Sequence, residues 1–137
     1  MSITSSFGLL CVLVLFQSGF TERIRYTITI RTGDIMGAGT DAAVYITLRG
    51  TRGSIKYIPP FSFGSFEQGS TDTFSTIAEN VGQLQSFTIG HENNGWRPAW
   101  FLDDVRLTQH VTPSVEYYFK FNSWISNRNR IFKTVSV

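Results

Sequence analysis

The chain is 137 residues long, 42% hydrophobic and 15% aromatic. That is enough for one domain with its own core, and it excludes a disordered chain. Its 12 basic and 10 acidic residues leave a net charge of +2, too small a surplus to support nucleic-acid binding. The one basic run, Arg128 to Lys133, is broken by Asn129, Ile131 and Phe132 and reads as the solvated end of a strand in preference to a phosphate-binding patch.

Residues 1–19 carry no charged side chain, and their apolar stretch runs from Phe7 to Phe16. A run of that length suits the core of a signal peptide and is too short to cross a bilayer as a helix. The expectation is a secreted protein with a leader over 1–19, ending near Ser18 or Gly19, and a folded domain over 25–137. The alternative is an uncleaved anchor and a membrane-associated protein. The single cysteine, Cys11, lies in the leader. The mature domain is therefore expected to have neither disulfide nor thiol chemistry.

From Arg25 onward the pattern has period two. "RYTITIRT" sets Tyr26, Ile28 and Ile30 against Thr27, Thr29 and Arg31, as in a half-buried strand. "VYITLRG" aligns Val44, Ile46 and Leu48; "SIKYI" over 54–58 and "TDTFSTI" over 71–77 are shorter candidates; "LQSFTIG" aligns Phe87 and Ile89. At most one helical turn fits "AENVGQL". In "WFLDDVRLT", Trp100 and Leu102 share one parity while Val105 and Leu107 share the other, which predicts a β-bulge at Asp103–Asp104. "VEYYFKF" is expected to turn Val115, Tyr117, Phe119 and Phe121 inward, and "IFKTVSV" is a last strand of ambiguous parity. Eight short strands without an amphipathic helix predict an all-β fold, an antiparallel β-sandwich of two four-stranded sheets.

If each connection reverses direction, the loops over 33–42, 59–70, 90–99 and 122–130 gather at one end. They are the long loops, and connection alone does not require their length. The first brings Asp34 and Asp41, with Gly37 and Gly39 freeing the backbone to aim carbonyls. The second brings Glu67, with Asp72 just beyond, and the third His91, Glu92, Asn93 and Asn94. Carboxylates, amide oxygens and carbonyls on irregular loops are hard oxygen ligands of the kind calcium takes. Zinc is poorly served, since no cysteine remains and the two histidines are far apart. Asp41 is the leading ligand candidate, followed by Glu67 and Asn93. The competing reading is that these acids cap turns and pair with Arg31, Arg97 or Arg106. Asp103 and Asp104 are expected to make structural hydrogen bonds.

The same end carries Met36, Phe61, Phe63 and Trp96. An exposed tryptophan favours the lipid headgroup region, and a calcium ion could offset the loop carboxylates that anionic headgroups would repel. Alternatively, Trp96 folds onto Pro98 or stacks with Arg97. Trp100 and Trp124 are expected in the core.

Several ordered motifs resemble the PLAT domain, the β-sandwich module of lipoxygenases, polycystins and bacterial alpha-toxin. They are "YTITIRTGDIMGAGTDAAVYITLRGTRG", "FEQGSTDTF", "VGQLQSFTIGHENNGWRPAWFLDDVRL" and "YYFKFNSWIS", and the resemblance runs from Tyr26 to about Ser126. It implies a non-catalytic module that targets membrane lipid or a partner protein, in several members with calcium. Carried over by position, the calcium site would use carbonyls near Gly37 and Gly39, the side chains of Asp41 and Glu67, and Asn93, with Met36 and Trp96 as membrane-inserting tips. The chain departs from the family pattern at Gly64 and Ser65, where relatives often offer Asn or Asp, and at Glu92, where Asp is usual. Phe121 stands where a cysteine is common.

No catalytic constellation competes with this reading. There is no G-x-S-x-G elbow, no histidine-rich helix for a non-haem iron, and no pair of acids with an acid/base spacing. The expected function is a binding module, not an enzyme. The alternatives are a secreted structural or protein-interaction domain without metal, or an accessory fragment of a larger lipoxygenase-homology or polycystin-like protein.

Overall fold

A computed structural model describes residues 22–58, 66–126 and 132–136. The leader, Cys11, Phe61, Phe63, Gly64, Ser65 and most of the basic run from Arg128 lie outside the described residues. The elements are β1 (Arg23–Thr32), β2 (Val44–Gly50), β3 (Gly53–Ile58), β4 (Thr71–Glu79), β5 (Leu84–His91), β6 (Trp100–Gln109), β7 (Val115–Ile125) and β8 (Phe132–Ser136). No helix occurs among the described residues. Ala78 and Glu79, expected in a helical turn, instead complete β4. The fold is all-β, two antiparallel sheets facing each other, with strand orders β4-β1-β6-β7 and β3-β2-β5-β8.

Alternation sets the sandwich. Tyr26, Ile28 and Ile30 of β1, Val44, Ile46 and Leu48 of β2, and Phe87 and Ile89 of β5 are all buried in one cluster between the sheets. Burying each such side chain contributes about 1.5–3 kcal/mol of transfer free energy. The polar tips in this core are satisfied. The Tyr26 hydroxyl donates to the carbonyl of Glu79 at 2.8 Å and accepts the N–H of Val81 at 3.1 Å, which fixes the turn between β4 and β5.

The bulge is present: the β6–β7 register shifts between Leu102 and Asp104. The shift lets Trp100, Leu102, Val105 and Leu107 all reach the core despite their change of parity. It also sets Asp104 opposite Arg31. The Arg31 guanidinium donates to both Asp104 oxygens, at 2.6 Å from Nη2 to Oδ2 and 3.1 Å from Nε to Oδ1, and the Tyr118 hydroxyl donates to Oδ2 as well, at 3.1 Å. Asp104 thus makes the structural bonds expected of it.

Two expectations need correction. Val115 is 38% exposed, not inward, because it sits at the open end of β7. Trp124 is half-buried, not core, and lies edge-on to Phe101 at 5.3 Å. Trp100 is fully buried, its Nε1–H on the hydroxyl of Thr32 at 3.0 Å and its ring 5.1 Å from Phe66.

Candidate functional site

Three connections meet at one end of the sandwich, and hydrogen bonds lock them together. From the β1–β2 loop, the N–H of Thr40 donates to the carbonyl of Phe66 at 3.0 Å, and its hydroxyl donates to the carbonyl of Pro98 at 2.7 Å. The N–H of Gly69 donates to the carbonyl of Gly33 at 3.0 Å. At Gly39 the first and second loops come close. A Cβ there would stand 3.0 Å from the Phe66 carbonyl oxygen and 3.0 Å from the Gln68 nitrogen, so only glycine fits without a shift.

Asp41 is the clasp of the third loop. Its carboxylate accepts the backbone N–H of Trp96 at 2.8 Å and of Arg97 at 2.9 Å. Bonds to the charged form favour it. The Arg97 and Trp96 amides accordingly hold the Asp41 carboxyl below the usual carboxylate range. The bond from Ala43 N–H to Asn94 Oδ1, 3.0 Å, closes the loop from the other side.

Between these loops lies a cavity of about 430 Å³ whose walls include Gly37, Gly39, Asp41, Glu67, Trp96 and Arg97. Four of the five residues named from sequence as metal ligands therefore share one hollow. Asn93 does not join them. Its backbone has φ of 57°, its N–H is held by His91 Nδ1 at 2.9 Å, and it lines a neighbouring groove of about 540 Å³ together with Trp96, Pro98 and Trp124. His91, expected on the loop, closes β5 and is wholly buried. Because Nδ1 accepts, Nε2 carries the proton and donates to the carbonyl of Ile125 at 2.9 Å. Burial pushes its pKa below the usual 6.5, so the ring is a neutral structural pin.

The remaining acids divide between turn and sheet. Asp34 accepts from Gln68 Nε2 at 3.2 Å. Asp72 accepts the Phe66 N–H at 2.9 Å and the Ser70 hydroxyl at 2.8 Å; it caps the turn that carries Glu67. Met36 and Trp96 are 93% and 96% exposed. Trp96 neither folds onto Pro98 nor buries itself on Arg97.

The donor set fits calcium on three counts and resists it on two. The two carboxylates and the loop carbonyls are hard oxygens. Each Asp41 oxygen retains a lone pair beyond the one its amide uses. Among the described residues, the carbonyls of Ile35, Ala38 and Glu67 accept backbone hydrogen bonds, whereas those of Gly37 and Gly39 accept none. Against this, Arg97 lines the same hollow, and its positive charge opposes a cation. No group of three or more His, Cys, Asp or Glu converges among the described residues. Arg97 is the residue that sequence reasoning missed as a wall of the hollow. Its place in the sequence points only to a partner for a carboxylate or a ring.

Comparison with known proteins follows the same lines. The PLAT/LH2 domain family profile matches residues 26–134. Lipoxygenase homology domain-containing protein 1 of Homo sapiens is 42% identical over 103 residues, covering 74% of this chain and 5% of that protein. Among solved structures, the Delta413-417:GS lipoxygenase superposes with a TM-score of 0.74 at 25% identity, over 84% of this chain and 16% of the other. A calcium-dependent 11R-lipoxygenase superposes with a TM-score of 0.59 at 29% identity, over 82% of this chain and 17% of the other. The chain spans only a small fraction of each of these proteins.

Proposed function

The chain belongs to the PLAT/LH2 domain family, and on that footing we propose that it is a non-catalytic module that docks on membrane lipid with a calcium ion in its loop end. In this reading the ion is held by the Asp41 and Glu67 carboxylates and the carbonyls of Gly37 and Gly39, with Asn93 outside the set. Met36 and Trp96 enter the headgroup layer. The observation that carries the reading is the pairing of two almost fully exposed large apolar side chains, Met36 and Trp96, with an oxygen-walled hollow on the same loops. Such side chains are costly to leave in water unless a surface covers them. The ion would offset the carboxylates against anionic headgroups. The calcium dependence in the name of the 11R-lipoxygenase lends support. Residues 1–19 complete the proposal as a leader that directs a domain over 25–137 to the outside of the cell.

One observation favours a metal-free second reading, a protein-interaction domain. Asp41 already has a structural duty to two amides, and Arg97 shares its hollow. A thermal melt with calcium and with chelator separates the two. At a hundredfold excess over its dissociation constant, calcium should stabilise by about 2.7 kcal/mol. Sedimentation with phosphatidylserine–phosphatidylcholine vesicles should then be calcium-dependent and lost in Met36→Ser/Trp96→Ser. Glu67→Gln, which leaves the Asp41 clasp intact, should weaken the calcium shift. No shift at millimolar calcium refutes the metal, and calcium binding without sedimentation refutes the lipid.

A further inference from the structure

The third loop carries the dipeptide Asn94–Gly95, and both residues are exposed. In such a pair the backbone nitrogen of the glycine, with no Cβ beside it, reaches the side-chain carbonyl of the asparagine, and the ring that closes lies within one residue. The fold holds both residues to their type. Gly95 has φ of +83°, and a Cβ there would stand 2.6 Å from Asp41 Oδ1, so the Asp41 clasp requires glycine. Asn94 supplies the oxygen that accepts the Ala43 N–H.

Electrophile, leaving group and nucleophile are each free to react. The Ala43 N–H, 3.0 Å from Asn94 Oδ1, polarises the carbonyl and stabilises its oxygen as negative charge develops there. The amide nitrogen Nδ2 makes no hydrogen bond to a described residue, so nothing holds it back. The N–H groups of Glu92, Asn93, Trp96 and Arg97 are taken by the Ala43 carbonyl, His91 Nδ1 and the two Asp41 oxygens. That of Gly95 has no acceptor among the described residues. Asn80 shows the opposite arrangement. Its Oδ1 also accepts an N–H, from Gly82 at 2.9 Å, but its Nδ2 donates to Glu22 at 3.1 Å. The following N–H, of the β-branched Val81, is bonded to the Tyr26 hydroxyl at 3.1 Å.

We propose that Asn94 is a deamidation site in the folded chain, and that its conversion to isoaspartate opens the Asp41 clasp. Hydroxide removes the Gly95 proton, and the nitrogen bonds to Asn94 Cγ. The Cγ–Nδ2 bond breaks, and ammonia leaves after taking a proton from water. Water then opens the succinimide at either carbonyl; overall one water is consumed and one ammonia released. Opening at the main-chain carbonyl gives isoaspartate, whose backbone runs through Cβ and Cγ and is one atom longer. Opening at Cγ gives aspartate. The extra atom falls just before Trp96 and Arg97, whose amides Asp41 holds, and it removes the Ala43 anchor. The loop then no longer meets both partners in register. Neither calcium nor lipid enters the reaction.

The test is incubation of the full chain at pH 8 and 37 °C in chelator, followed by peptide mapping with electron-transfer fragmentation. Asn94 should convert at least tenfold faster than Asn80, with isoaspartate the larger product, and the aged chain should melt at a lower temperature than the fresh one. Asn94→Gln, whose longer side chain does not close the ring, should keep its melting temperature through the same incubation; Asn94→Ser replaces it if it fails to fold. Asn94→Asp, which adds the charge without the extra atom, should melt above the aged chain. The proposal is overturned if Asn94 converts no faster than Asn80, or if it reacts in guanidinium but stays an amide in the folded chain. It is also overturned if a chain with isoaspartate at 94 melts like the fresh one or like Asn94→Asp.

Discussion

Replacing Gly39 by alanine tests whether the loop end is built as described. The new Cβ would lie 3.0 Å from the Phe66 oxygen and the Gln68 nitrogen and 3.2 Å from the Glu67 Cα, about 0.5 Å inside ordinary carbon contact. All three obstacles are backbone, and that backbone is pinned. The Phe66 N–H is bonded to Asp72, its carbonyl to Thr40, and its ring is 2% exposed against Trp100. Overpacking of this kind costs about 1–3 kcal/mol. Stiffening of the unfolded chain returns about 0.4–1 kcal/mol, so the net loss should be about 1–2 kcal/mol, or about 3–8 °C in Tm for a domain of this size. Urea denaturation in chelator, followed by tryptophan fluorescence, reads the loss as a lower midpoint at constant slope. Gly37→Asn is the control. Gly37 has φ of +77° and nothing within 4 Å of its would-be Cβ, a conformation asparagine tolerates, so the loss should stay below about 1 kcal/mol. If Gly39→Ala is as stable as the parent, the loops do not meet at Gly39 and the hollow described above does not exist.

Three further predictions rest on the core and on burial. Trp100→Phe leaves the hydroxyl of the buried Thr32 without its donor and opens space beside Phe66; a loss of about 2–3 kcal/mol in urea melts is expected, and a loss under about 0.5 kcal/mol would contradict the packing. At Gly50 a Cβ would collide with the carbonyls of Val81 and Gln83, which accept from Arg52 and Thr51 at 2.7 Å and 3.0 Å, so Gly50→Ala should cost more than about 3 kcal/mol, seen as loss of the cooperative melt at 37 °C. Burial holds the His91 pKa below 6.5. Its stabilising contribution is thus complete above pH 6.5 and is lost as the pH falls toward the folded value, because the unfolded chain takes up the proton first. The decline should reach at most about 1.4 kcal/mol per pH unit. His91→Gln, compared with the parent in urea at pH 7.5, 6.5 and 5.5, should flatten that slope; parallel slopes would remove His91 as the cause.

What the sequence determined by itself was the sandwich. Alternation in β1, β2 and β5 commits each strand to one buried face, and a one-residue slip would expose every apolar side chain in it. Even the bulge was legible, because Trp100 and Leu102 change parity against Val105 and Leu107 and only an extra residue reconciles them. The long loops and their oxygen-bearing residues were legible too, as a departure from what turns require. What only the tertiary structure decided is which of those residues face one another. Asp41 and Glu67 share a hollow because Gly39 lets two loops touch, a contact between positions far apart in the chain. Asn93, three residues before Trp96, is drawn aside by His91, which continues the buried parity of Phe87 and Ile89 past the expected end of the strand. Val115 shows the same limit at the other pole: its parity is inward, but the strand has run past the end of the core, and periodicity does not register where the neighbouring sheet stops.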